Sequence, residues 1–88
     1  MSSKRSPFAY GQLDKLLQAM GFKCRMLTDK PQAREYTHPE RPEAVIRLPA
    51  FPLRNRMLEY HFVVVRTILD LNGIIDATKF DAKLKKAG

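Results

Sequence analysis

At 88 residues with 44% hydrophobic side chains, the chain is long enough for one core, too short for two, and too apolar to be wholly disordered. Sixteen Lys and Arg against nine Asp and Glu leave a net charge of +7, which turns the surface toward polyanions, with nucleic acid ahead of acidic protein. Cys24 stands alone and so excludes an internal disulfide, and with His38 and His61 it makes a poor zinc set; no metal or cofactor is expected.

Residues 1–7 are polar and basic with no apolar stretch after them, and no segment approaches membrane-spanning length, so the expectation is a soluble cytoplasmic protein away from membranes. Residues 1–8 read as a flexible basic tail. From Tyr10 onward Leu13, Leu16, Leu17 and Met20 recur at helical spacing, and Gly21 follows as a stop, which predicts a first helix over about 9–20. Phe22, Cys24 and Met26 then alternate with Lys23 and Arg25, the period of a strand with one buried face and one basic face.

Asp29-Lys30-Pro31-Gln32 is a turn cluster, and the following stretch from Ala33 to His38 reads as a second strand centred on Tyr36 and Thr37. Pro39-Glu40-Arg41-Pro42 turns the chain again. Ala44, Ile46 and Leu48 alternate with Val45 and Arg47 until Pro49 ends a third strand. Short turns between short strands require an antiparallel meander, because a parallel pair needs a long crossover.

Asn55 is the predicted N-cap of a long second helix in which Leu58, Phe62, Val65 and Leu69 share a face, with Asn72-Gly73 as its stop. The run at 62–65 is β-prone and wider than one helical stripe, so part of it is expected to serve as a contact surface. Asp76 caps a short final helix carrying Phe80 and Leu84 within a basic segment at 79–86. The predicted class is α+β: helix, three antiparallel strands, helix, and a short C-terminal helix.

Several of these residues carry a family resemblance. Gly21-Phe22, Arg25-Met26, Arg34-Glu35-Tyr36-Thr37-His38-Pro39, Val45-Ile46-Arg47-Leu48-Pro49 and Ile68-Leu69 leading to Gly73-Ile74 resemble the HicA toxins, over residues 13–80. The resemblance implies a double-stranded-RNA-binding-like fold over 9–76, followed by a short helix and basic tail at 77–88. It also implies an mRNA interferase, an endoribonuclease of a type II toxin-antitoxin system, with mRNA as substrate and a HicB-like antitoxin as protein partner.

Counting back from Tyr36-Thr37-His38-Pro39 sets Ala33 where the family keeps its catalytic histidine. The Gly-rich turn before it is Lys30-Pro31-Gln32 here, a second family histidine corresponds to Phe51, and the connection at 52–57 lacks the family's glycine. RNA cleavage of this kind needs a group to take the 2′-hydroxyl proton and another to protonate the leaving oxygen, and a methyl group does neither. His38, at a strand end before proline, and His61, inside a helix, read as structural residues.

Binding rests on different residues. Lys23, Arg25, Arg34, Arg47, Arg54 and Arg56 are the expected RNA contacts, since duplex RNA is recognised mainly through shape and phosphate. Arg34 and Glu35 are also placed to pair across strands. The sequence therefore supports a HicA-like, RNA-directed toxin in which Ala33 removes the catalytic group. Its alternative is a non-catalytic RNA-binding or protein-interaction module, with residues 62–65 facing an antitoxin or a second copy in a homo-oligomer.

Overall fold

A computed structural model describes residues 4–28 and 32–87. The elements run β1 (Arg5–Ala9), α1 (Tyr10–Ala19), β2 (Lys23–Leu27), β3 (Ala33–His38), β4 (Arg41–Pro49), β5 (Arg56–Leu58), α2 (Glu59–Leu71) and α3 (Ala77–Lys86). This is an α+β architecture with the expected antiparallel meander in the order β2-β3-β4, joined by a second, two-stranded sheet of β1 and β5. Among the described residues no helix is long and apolar enough to cross a membrane.

The first helix forms where the apolar spacing places it, burying Tyr10, Leu13, Leu16 and Leu17. Its C-terminal carbonyls are satisfied by the turn that leaves it: Gly21 N–H donates to the Gln18 carbonyl at 3.1 Å and Phe22 N–H to the Leu17 carbonyl at 3.0 Å. That turn holds Gly21 at φ +95°, a conformation costly for any residue with a Cβ. In the meander, Tyr36 lies opposite Cys24 on one side and Ile46 on the other. Strand alternation then sends Tyr36, Ala44, Ile46 and Leu48 into the core with Val65 and Leu69 of α2.

Asp76 caps α3 as predicted, its carboxylate accepting from Lys79 N–H at 2.9 Å. The helix is more than a tail. Phe80 and Leu84 are completely buried, Phe80 stacks on Phe62 with ring centroids 5.8 Å apart, and Arg66 of α2 meets Asp81 at 3.4 Å.

Three expectations need correction. From Arg5 onward the supposed tail is a strand, in which Ser6 and Phe8 are buried and Arg5 and Ala9 lie opposite Leu58 and Arg56. Asn55 does not cap the second helix: residues 56–58 stay extended to pair with β1 and bury Met57, and the helix starts at Glu59 with Leu58 as its N-cap. Cys24 and Met26 are exposed despite their alternation with Lys23 and Arg25, because β2 is an edge strand that extends past the cover of the helices. Of the strand's expected apolar set, Phe22 alone is buried. Of the turn cluster at 29–32, residues 29–31 lie outside the described residues, as do residues 1–3 of the expected tail.

Candidate nucleic-acid interface

The sheet has two faces of opposite character. On the face away from the helices, Arg25 pairs in register with Glu35, and Glu35 with Arg47; Lys23 sits opposite Thr37 one pleat away. The Glu35 carboxylate bridges both guanidiniums, accepting from Arg25 Nη2 at 3.1 Å through Oε1 and from Arg47 Nε at 2.8 Å through Oε2. The arginine side chains remain 73% and 67% exposed while that of Glu35 is 9% exposed, so the carboxylate lies beneath two cations that face water.

The hydrogen bond from Arg47 holds the Glu35 carboxyl below its ordinary value, with the charges of Arg47 and Arg25 acting in the same direction and burial opposing them. One ionised acid thus fixes the direction of two guanidiniums, each of which keeps N–H donors free for a planar oxyanion such as phosphate. Chain entropy that a free arginine would lose on binding is already lost here.

The six predicted RNA contacts do not form one surface. Lys23, Arg25 and Arg47 share the solvent face of the meander. Arg34 has the parity of Tyr36 and lies opposite Leu48, on the helix side, where Nη1 donates to the Phe51 carbonyl at 2.7 Å. Arg54 stands in the turn before β5 and lines a groove against α1, and Arg56 lies on β5 in the smaller sheet. Glu35 thus pairs across strands as expected, with Arg25 and Arg47, whereas Arg34 turns to the Phe51 carbonyl. This parity was readable in the sequence, since Arg34 is two residues from buried Tyr36 and Glu35 is out of phase with it.

Ala33 is half-buried at the start of β3, between Leu27 and Pro49 in register and on the same face as Glu35. Neither histidine comes to that face. His38 Nδ1 accepts from Glu40 N–H at 3.1 Å, which leaves Nε2 protonated to donate to the Met20 carbonyl at 2.9 Å, and its ring packs edge-on against Phe22. His61 Nδ1 accepts from Tyr10 Oη at 2.8 Å, while the same hydroxyl accepts from Leu58 N–H at 3.3 Å. Burial, with the nearby charge of Arg5, pushes the His61 pKa down. Both rings hold backbone and helix ends together rather than face an open surface.

Tyr36 and Asp14 are a further polar pair that composition did not signal. Tyr36 Oη donates to Asp14 Oδ1 at 2.7 Å; burial first, then this carboxylate, pushes the phenol pKa up, which keeps it neutral. The bond fastens α1 to the centre of the sheet. Among the described residues no cluster of His, Cys, Asp and Glu is arranged to hold a metal ion. Searches of protein-family models, curated proteins and solved structures returned no significant match to the chain.

Proposed function

We propose that this chain is a HicA-like domain of a toxin-antitoxin pair that holds RNA on the solvent face of its meander, and that this sequence binds RNA without cutting it. The observation that carries the reading is the Arg25-Glu35-Arg47 arrangement, two exposed guanidiniums oriented by one carboxylate with Lys23 beside them. Support also comes from the order α1-β2-β3-β4-α2, which is the order the HicA resemblance implies. The binding half of the reading follows from charge and geometry. The loss of cleavage follows from the proton inventory of that face, where Ala33 offers no acceptor and Glu35 is committed to its arginines.

A HicB-like antitoxin belongs to the same reading, and the exposed apolar residues of α2 favour it. Phe62 and Val65 are taken up by the core, but Tyr60, Val63 and Leu71 stay exposed, and Tyr60 and Val63 line an open groove with Lys4, Leu58 and Glu59.

The deciding experiment is equilibrium binding of a labelled single-stranded RNA and a labelled duplex RNA across a salt series. Affinity should fall linearly on a log-log scale, and Arg25→Gln with Arg47→Gln should flatten that slope by about 1.5–2 units, the loss of two phosphate contacts. Wild-type affinity and slope in the double variant would remove the sheet face as the site.

A further inference from the structure

The basic segment at the C-terminus is not accounted for by the sheet. Helix α3 carries four lysines and one acid, Asp81, which is engaged by Arg66 of α2. Lys79, Lys83 and Lys86 stand at i, i+4 and i+7, within about 60° of one another on a helix of 3.6 residues per turn, and form an exposed stripe roughly 10 Å long.

Two contacts fix which way the stripe faces. Asp81 turns one side of α3 to α2, and on the other side the Leu84 carbonyl accepts from Gln12 Nε2 of α1 at 3.2 Å while Ala87 lines a groove with Gly11, Lys15 and Arg54. On the helical wheel the lysine stripe adjoins Ala87, not Asp81. It therefore borders the α1 side.

We infer that this groove, lined by Lys15 of α1 and by Arg54 and bordered at Ala87 by the stripe of Lys79, Lys83 and Lys86 on α3, is a second binding surface for an RNA backbone. The inference rests on the RNA-directed reading given above. Complementing the helix dipole accounts for cations in the last turn of α3, but Lys79 lies in the first turn, where a cation opposes the dipole. Among the described residues none of the five cations is in an ion pair, the ion pairs there being Arg25–Glu35, Arg47–Glu35 and Arg66–Asp81. Asp14, the acid lining the groove, is occupied by Tyr36 and by Gln18 Nε2 at 3.0 Å.

The groove is open and has a volume of about 400 Å³, which suits a strand lying along it rather than an enclosed small molecule. It lies on the helical side of the molecule, opposite the solvent face of the meander, so the two surfaces bind independently unless an RNA is long enough to wrap the domain.

The test uses the full chain with a labelled single-stranded RNA of about 20 nucleotides, and polyglutamate as a competing polyanion. Wild type is compared with Lys79→Gln/Lys83→Gln/Lys86→Gln and with Arg25→Gln/Arg47→Gln, after circular dichroism and thermal melts show that each variant is folded. The lysine variant should lose about 2 units of salt slope and at least tenfold in affinity near 0.1 M salt, and the losses of the two variants should add when they are combined. If wild type binds RNA and only the arginine variant is weakened, the α1-α3 surface is refuted while the sheet reading stands. If wild type binds no RNA, both fail. Displacement of bound RNA from the arginine variant by equimolar polyglutamate would assign the groove to an acidic protein and overturn the inference.

Discussion

His38 Nε2 donates to the carbonyl of Met20 at 2.9 Å, and through that bond the end of β3 is tied to the C-cap of α1. The same nitrogen stands 3.1 Å from where a Cβ on Gly21 would fall, so the turn, the glycine and the imidazole form one unit. It gives His38 a structural role in a chain where it is one of two imidazoles.

Gly21→Ala should therefore be destabilising by about 1–3 kcal/mol, because the φ of +95° is strained for alanine and the added methyl crowds the ring. A urea midpoint shifted down with an unchanged m-value is the expected result. An unchanged midpoint would mean that the turn relaxes and that the His38–Met20 bond does not hold it.

Stability should fall as pH drops below about 6.5, owing to His61. Its folded pKa lies below the ordinary value of 6.5, so between the two values the unfolded chain binds more protons; the stabilisation is complete above the upper value and is lost as pH falls toward the lower. Tyr10 Oη also loses its acceptor when Nδ1 is protonated. Thermal melts from pH 7.5 to pH 5 should show this decline, and His61→Gln should flatten it. Parallel curves for the two proteins would refute the assignment.

Glu35 acts in a lower window. Its folded pKa is below 4.5, so its contribution is present above that value and disappears as pH falls through the depressed one. Glu35→Gln should soften the acid limb of the melting curve below about pH 4.5 and, by releasing the two guanidiniums that the carboxylate orients, lower RNA affinity. RNA affinity equal to or above that of wild type in this variant would show that the charge Glu35 cancels matters more than the direction it gives the arginines.

The chain as it stands should leave an end-labelled RNA intact on sequencing gels. Ala33→His introduces an imidazole on the face shared by Glu35, Arg25 and Arg47, and weak cleavage is the expected outcome, since Phe51 and the sequence Lys30-Pro31-Gln32 also depart from the HicA pattern. Robust cleavage by the Ala33 protein, lost on His38→Ala, would move the site to His38.

Phe80→Ala should cost about 3–5 kcal/mol, enough to unfold much of a domain this small, because the ring is completely buried and stacks on Phe62. A melting temperature near that of wild type would return α3 to the status of an appended tail.

Local signals were sufficient for α1 with its stop at Gly21, for β3 and β4, for the Asn72-Gly73 end of α2 and for the Asp76 cap, because each depends on side-chain spacing or on a backbone conformation that neighbouring residues impose. The basic solvent face was legible for the same reason: strand alternation puts Lys23, Arg25 and Arg47 out of phase with the core. Tertiary structure decided the rest. Residues 56–58 become a strand because β1 lies alongside them, a partner some fifty residues distant that no local window contains. Cys24 and Met26 carry the alternation of a buried face and remain in water, since alternation states which side a residue takes and not whether anything covers that side. Arg54 shares a groove with Ala87, the C-cap of α3, because the fold closes the C-terminal helix onto α1, and that closure is set by burying Phe80 and Leu84.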